Sequence, residues 1–458
     1  MIGRRHFLVG AAASALLVEA ARGEPLSDDE VLTSLRERVD TSRQSVGIVA
    51  ATFDANSQRI VPCGKSDSTN GRALDGDTVF EIGSITKVFT ALLLAEMTAR
   101  GEVALDDPVS KYLPDRVRVP ESGGKQIELW HLPSHTSGLP REPAGFVFAG
   151  DVDPYATFTV DQLYSAVANS TLQYEPGAIS TYSNLGFGLL GHVLALRANA
   201  SYEELIVSRI CDPLGLADTR ASLTPSMQER LARGHLIDLK PASNWDLPPA
   251  IAGAGALRST ANDLVRFMRA TCLPTPQSPL NKAAALLLEK RRPQTTPGNS
   301  SYLGWQVRSA NADEIIWKNG STGGYYGYVG FSTKLKSGAV ALSNTASLLD
   351  DLGLHLTNPA FKIAEFPPEV SLEQSVLADY EGVYQLTPTF SISVRGADGH
   401  LFIRGTGQAE FEMFAESENR FFLRIFDAQG TFLRNKDGRV DRLLWHQNGR
   451  YQYCTRVN

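Results

Sequence analysis

Ser84 and Lys87 stand three residues apart in Phe80-Glu81-Ile82-Gly83-Ser84-Ile85-Thr86-Lys87. A serine hydroxyl becomes a nucleophile only when a nearby base takes its proton, and a desolvated lysine is one such base. In a helix this spacing puts Lys87 one turn beyond Ser84 on the same side. The residues that follow predict that helix. Ile85, Val88, Phe89, Leu92, Leu93, Leu94 and Met97 lead to a stop at Gly101 and are apolar on nearly every face, the pattern of a buried helix. The competing reading makes Ser84 only an N-cap. A capping box, however, wants Glu or Gln where Lys87 stands. A cation in the first helical turn also faces the positive end of the helix dipole, and loses hydration beside an apolar helix. Residues that break local rules in this way mark function. The chemistry expected is nucleophilic attack by Ser84, assisted by Lys87, with backbone N–H groups holding an oxyanion.

Other candidates follow along the chain. Ser122-Gly123-Gly124-Lys125 repeats the serine–lysine spacing among glycines, with no helix to hold its geometry, and is set aside. His131 and His135 have the i, i+4 spacing of a metal pair, but Pro133 between them excludes a helix, so a buttressing loop with hydrogen-bonded histidines is expected. Pro176-Gly177 forces a turn, which puts Tyr182 and Asn184 on a short loop rising into a second buried helix at Leu185–Leu196. Trp317-Lys318-Asn319-Gly320-Ser321-Thr322-Gly323-Gly324 and Tyr328-Val329-Gly330-Phe331 read as strands joined by a tight turn. The small residues after Lys318 would let a substrate backbone lie along the strand edge.

Taken together and in order, Ser84-x-x-Lys87, Tyr182-x-Asn184 and Lys318-x-Gly320 resemble the three motifs of the penicillin-recognising serine enzymes. The tyrosine heading the second motif points to the class C β-lactamases and their relatives among D-alanyl-D-alanine peptidases and esterases. Phe80–Lys87, His135-Thr136-Ser137-Gly138-Leu139-Pro140, Pro176-Gly177 and Gly320-Ser321-Thr322-Gly323-Gly324 extend the resemblance over roughly residues 30–350. It implies an α/β (α+β) serine β-lactamase/DD-peptidase fold, an antiparallel sheet flanked by helices with a helical subdomain. It also implies roles. Ser84 is the acylated nucleophile. Lys87 and Tyr182 form the base system, and either could take the proton. Asn184 holds Lys87 and the substrate amide, Lys318 and Gly320 line the substrate, and the backbone N–H groups of Ser84 and Ser321 form the oxyanion hole. A phenol ionising near ~10 is useless at neutral pH unless the ammonium groups of Lys87 and Lys318 lower it. No metal or cofactor is implied.

The chain lacks G-x-S-x-G, which argues against an α/β-hydrolase nucleophile elbow. Between Lys87 and Tyr182 no glutamate is followed four residues later by asparagine, so the deacylating glutamate pattern of class A enzymes is missing. With no second glutamate expected, deacylation would reuse Tyr182 and Lys87 in reverse. Asn319 stands where β-lactamases usually carry a threonine that helps bind the substrate carboxylate. After Ser343-Asn344-Thr345 come Asp350-Asp351, and no arginine follows where class C enzymes often have one. Both departures imply a loosely held carboxylate. The expected activity is modest β-lactam hydrolysis, with D-alanyl-D-alanine carboxypeptidase or endopeptidase action on muropeptides next and ester hydrolysis third. A non-catalytic penicillin-binding sensor is the reading from another class.

The elements that position these residues sit in a chain of 458 residues, too long for one ordinary domain. Met1-Ile2-Gly3-Arg4-Arg5-His6-Phe7-Leu8, an apolar run to Val18 and small residues near Gly23 read as an export signal over residues 1–23. The paired arginines suggest the twin-arginine route to the periplasm. Net charge is −6, or −8 without that segment, and there is no basic stripe for nucleic acid. No later run of 18 apolar residues predicts a membrane span. Cys63, Cys211, Cys272 and Cys454 are scattered without C-x-x-C spacing, and free thiols are expected. A helix from Asp28 to about Ser42 and a strand over Ser45–Phe53 open a catalytic domain spanning 28–365. A linker at 366–379 follows. From Tyr380 to the end, six short alternating runs are spaced by Asp398-Gly399, Gln429-Gly430, Asp437-Gly438 and Asn448-Gly449, the texture of a small up-and-down barrel. That region resembles the lipocalin-like appendage of some serine hydrolases of this family. The partner expected is a small β-lactam or muropeptide; oligomeric state is left open.

Overall fold

The computed structural model describes residues 26–457 apart from 145, 147–151, 275–277, 290–291, 294–299, 311–312, 365, 388–389, 398, 407–409, 425–427 and 448–449. The export segment at 1–23, Glu365, Phe426 and the turn residues Asp398 and Asn448-Gly449 lie outside the described residues.

Alternation of side chains across extended backbone builds the centre of the larger unit. Eight antiparallel strands run in the spatial order Gln58–Gly64, Gly47–Asp54, Ser337–Ser343, Tyr326–Ser332, Asp313–Ser321, Gln306–Ala310, Ser300–Ser301 and Arg292–Pro293. The first and last parts of the domain therefore pair directly, with Val49 opposite Leu342 and Val340 opposite Ala51. Both faces of the sheet are buried. Val49, Ala51, Phe53, Val329, Phe331, Val340 and Leu342 face the large helical core. Their neighbours Ile48, Ala50, Tyr326, Tyr328, Ala339 and Ala341 face Val31 and Leu35 of the Asp28–Arg36 helix and Leu352 and Leu354 of the Asp350–Thr357 helix. The first helix opens on a capping box between Ser27 and Glu30 and ends as a π turn over Glu37–Thr41, so the expected single helix changes hydrogen-bonding pattern before Ser42.

The serine-bearing helix is Thr86–Ala99, and every residue from Thr86 to Met97 is buried. One side packs on the Asn281–Leu287 helix. Another meets the Asn184–Ala198 helix and the Ala252–Gly255 turn of helix. The contact between those last two elements depends on glycine, since a Cβ at Gly191 would come within 2.9 Å of the Gly253 Cα.

The C-terminal region closes on itself. Eight strands, from Gly382–Thr387 round to Arg450–Val457, form a barrel in which Val383 pairs with Val457. Five of the six expected runs are strands, the one at Arg420–Phe426 is a strand over Arg420–Phe422, and two more strands appear at Gly382–Thr387 and Ala428–Arg434. Gly430, expected as turn punctuation, lies inside the second of these. A Cβ there would meet Met413 Cε at 2.9 Å and Leu443 Cδ1 at 3.1 Å, so the glycine makes room in the barrel interior. The Gln374–Tyr380 helix plugs one end: Leu377 and Tyr380 are buried, Tyr380 stacks on Phe432 at 4.4 Å, and its hydroxyl donates to the Glu418 carbonyl at 2.9 Å. All four cysteines are free thiols. No helix among the described residues is long and apolar enough to cross a membrane.

Phe89 is fully buried in the serine-bearing helix and stacks on Phe267 at 4.0 Å. Phe89→Ala is expected to destabilise the larger unit by about 3–5 kcal/mol, read as a lower urea midpoint at unchanged slope for that unit.

Candidate active site

From Thr78 to Met97 one residue reaches solvent, and it is Ser84. It sits in a 3₁₀ turn, Gly83–Ile85, that leads into the buried helix, and its side chain makes no capping hydrogen bond. Gly83 has φ +46°, a left-handed conformation suited to glycine. The end of the Asp313–Ser321 strand lies hard against this turn. A Cβ on Gly83 would fall 2.7 Å from the Ser321 nitrogen, and one on Gly320 would fall 2.0 Å from the Ile82 oxygen and 2.6 Å from the Ser84 nitrogen. Two glycines thus let the backbones of Ser84 and Ser321 come together.

The expected side chains converge here. Lys87 Nζ lies 2.9 Å from Ser84 Oγ, 2.8 Å from Asn184 Oδ1 and 2.6 Å from the Ala254 carbonyl. Tyr182 donates its hydroxyl to Ser84 Oγ at 2.6 Å. Asn184 is the first residue of its helix, behind the N-cap Ser183, and Lys318 approaches from the strand with Nζ 4.8 Å from the Tyr182 ring centre. Five of the seven candidates, Ser84, Lys87, Tyr182, Asn184 and Lys318, bring side chains together, and Gly320 and Ser321 bring backbone.

Electrostatics departs from expectation at Tyr182. Its pKa is pushed up to about 12, because desolvation of the phenolate outweighs the hydrogen bond to Ser84 and the charge of Arg141. The expected lowering by two ammonium groups fails because burial acts on the lysines too. Lys87 is held well below the usual lysine range by burial and by the charges of Lys318 and Arg141. Burial brings Lys318 down to about 7, with Asp350 opposing the drop. Two amines in one desolvated site cannot both stay charged cheaply.

Asn319 is a second correction. Strand alternation turns it away from Lys318, and its Nδ2 donates to Tyr326 Oη at 2.7 Å and Asp350 Oδ2 at 2.8 Å. It does not face the serine, so it neither tightens nor loosens a substrate carboxylate there by contact. Its anchor, Asp350, is a carboxyl that burial pushes up to about 7.

The third correction is a glutamate. Glu142 Oε1 accepts from Asn184 Nδ2 at 2.7 Å, and its Oε2 accepts from Tyr155 Oη at 2.6 Å. No local pattern flags it, since it follows the His135–Pro140 loop and reaches Asn184 only through tertiary contact. Arg141 beside it is largely exposed, has its guanidinium 4.8 Å from the Tyr182 ring centre, and accepts from the Asn184 and Leu185 nitrogens through its carbonyl. Ala254 contributes a carbonyl and so offers no side-chain signal. Trp245 walls the site near Tyr155 and the Gly323 turn, held by a bond from its backbone nitrogen to Glu81 Oε1 at 2.9 Å. Burial raises that carboxyl to about 7 against the charge of Arg258.

The histidines buttress, as expected. His131 Nδ1 accepts from the Glu128 nitrogen at 2.9 Å. His135, at φ +60°, accepts from the Ser183 nitrogen at 3.2 Å and lies 4.5 Å from the Tyr182 ring, and burial, with basic groups around it, holds it well below the usual histidine range. The described residues hold no cluster of His, Cys, Asp or Glu suited to a metal ion.

This constellation on this fold matches the family described as Beta-lactamase over residues 32–358, and the chain belongs to that family of serine hydrolases. Residues 367–455 match a second family, described as Domain of unknown function (DUF3471). The chain is similar to D-alanyl-D-alanine-carboxypeptidase/endopeptidase AmpH of Escherichia coli (strain K12), 29% identical over 353 residues that cover 74% of this chain and 90% of the relative. Similarity to Penicillin-binding protein 4* of Bacillus subtilis (strain 168) is 25% over 448 residues, covering 90% and 96% of the two chains. Among solved structures, the β-lactamase/D-alanine carboxypeptidase of Pseudomonas syringae superposes with a TM-score of 0.60 at 25% identity, covering 70% of this chain and 94% of that one.

Gly320→Ala is expected to wedge the strand away from Ser84, because the added methyl meets backbone atoms that cannot rotate aside. Covalent labelling of Ser84 by a fluorophosphonate should slow at least tenfold, about the loss of one oxyanion donor or more. Labelling at the wild-type rate would mean that the two backbones need not touch.

Proposed function

We propose that this protein is an exported serine hydrolase that opens the β-lactam amide through an acyl-enzyme on Ser84. One observation carries the reading, the contact set of Lys87 Nζ. An uncharged amine has two N–H groups and one lone pair. Asn184 Oδ1 and the Ala254 carbonyl can only accept, so they take both N–H groups, and the lone pair is left for the Ser84 hydroxyl at 2.9 Å. Burial and the charges of Lys318 and Arg141 favour this uncharged form.

In the proposed sequence Ser84 Oγ attacks the amide carbonyl as its proton passes to Lys87, and the backbone N–H groups of Ser84 and Ser321 hold the oxyanion. Tyr182, still a phenol, protonates the departing nitrogen. The proton it gives up is restored from Lys87, whose Nζ lies 4.9 Å from its ring centre. Water then attacks the ester, and the same groups run in reverse to free Ser84. Lys318 and Arg141 supply positive charge for a substrate carboxylate. The 1–23 segment would direct export to the periplasm, 28–365 would form the catalytic domain, 366–379 the linker and 380–458 the appended barrel domain.

D-alanyl-D-alanine peptide cleavage is the second reading. The attack is the same, and the name of the Escherichia coli relative supports it. Ester hydrolysis ranks third. A silent sensor is disfavoured because it has no use for two buried lysines whose ionisation is suppressed at a cost to stability.

Incubation with a fluorescent penicillin followed by intact-mass measurement should give one adduct on the wild type and none on Ser84→Ala; equal labelling of both would sink the serine mechanism. On the mature protein, kcat/KM is expected to rank nitrocefin first, a D-Ala-D-Ala muropeptide second and p-nitrophenyl butyrate third. Nitrocefin in last place, with a stable adduct accumulating, would transfer the assignment to the peptidase. The pH dependence has a sign. Lys318 is charged below about 7 and loses its proton above it, so kcat/KM for carboxylate-bearing nitrocefin should fall as pH rises through that range. The uncharged butyrate ester should show no such fall, while both share the acid-side loss as Lys87 becomes protonated.

A further inference from the structure

We infer that Glu142 is a positioning residue: it fixes which way the Asn184 amide faces, so that Lys87 meets an acceptor on that side and keeps its lone pair on Ser84. The inference rests on the Ser84–Lys87 reading above and extends it to a residue outside the three motifs.

The argument starts from what a carboxylate can do. An ionised glutamate only accepts hydrogen bonds, whereas an asparagine amide offers a donor on one side and an acceptor on the other. Glu142 Oε1, 2.7 Å from the Asn184 amide, can therefore be met only by Nδ2. Nδ2 also donates to Tyr155 Oη at 3.1 Å, and Tyr155 passes its own hydrogen to Glu142 Oε2 at 2.6 Å. This closed triangle leaves Oδ1 facing Lys87 at 2.8 Å. If the amide turned over, Nδ2 would confront the amine, one N–H of Lys87 would lose its acceptor, and its lone pair would be drawn to Asn184 instead of Ser84.

Charge adds a second effect in the same direction. Once Lys87 has taken the serine proton it is a buried ammonium with Lys318, Arg141 and neutral His135 around it, and Glu142 is the nearby carboxylate that favours its charged form. The groups facing Glu142 itself are Tyr155, Asn184, Lys87 and Arg141, whose Nε lies 3.5 Å away. Burial raises the Glu142 pKa, and all four of these neighbours oppose the rise. The glutamate side chain is 14% exposed, so water screens it poorly.

The test uses the full-length mature protein and single-turnover acylation by a fluorescent penicillin across pH. Glu142→Gln keeps size but can both donate and accept, and carries no charge. It is expected to slow plateau acylation by about tenfold or more. It should also move the acid limb to lower pH, by about one unit, because the ammonium of Lys87 has lost its carboxylate. Glu142→Asp keeps the charge and the acceptor-only character, so its limb should stay at the wild-type position even if the rate drops. Thermal unfolding of each variant separates a loss of fold from a loss of chemistry. An acid limb unmoved in Glu142→Gln, or moved equally in Glu142→Asp, would overturn the inference. Absence of any adduct on the wild type would instead overturn the Ser84 reading on which it stands.

Discussion

The molecule is arranged around one amine in a dry place, where burial disfavours its charge. Lys87 has no solvent exposure, stands in the first turn of a helix buried from Thr86 to Met97, and has another amine, Lys318, within the same site. Such a group could be tolerated as a neutral base or as an ammonium with full hydrogen bonding, and burial beside Lys318 and Arg141 favours the first. Two acceptors that cannot donate, Asn184 Oδ1 and the Ala254 carbonyl, orient it toward Ser84. They come from two separate elements, and those elements approach only because Gly191 and Gly253 have no side chains. The site is therefore a product of helix packing as much as of its own residues.

The oxygen side of the chemistry depends on a second close approach. The turn at Gly83-Ser84 and the strand end at Gly320-Ser321 come within distances that any Cβ would forbid. Register puts the strand there: Lys318 pairs with Val329 and Gly320 with Gly327, so Lys318 and Gly320 share the face turned to the helical core while Asn319 looks the other way. A shift of one residue would exchange these faces and remove the lysine from the site. Long-range pairing of the Gly47–Asp54 strand with Ser337–Ser343 anchors that register across nearly 300 residues of sequence.

The C-terminal barrel is held by different means. Its core of Tyr380, Tyr384, Phe421, Phe432 and Leu443 is separate from the catalytic core, and its last strand closes on its first. Closure leaves no sheet edge open, and the helix before the first strand caps one end.

Much of this was legible in the sequence because it depends on local spacing. The Ser84–Lys87 step is one helical turn, the all-round apolar helix announces burial, and Tyr182-x-Asn184 and Lys318-x-Gly320 keep their motifs wherever the chain takes them. Barrel texture shows in alternating runs, but Gly430 does not end a strand, because a glycine that opens space inside a barrel looks the same in sequence as one that makes a turn. Tertiary structure alone decided the rest. Glu142 carries no motif and joins the site through Asn184, and Ala254 contributes only backbone. Whether Lys87 and Lys318 would lower the pKa of Tyr182 or be lowered themselves is a competition between Coulomb attraction and desolvation. Sequence names the charges in that competition, but only the packed structure sets how little water reaches them.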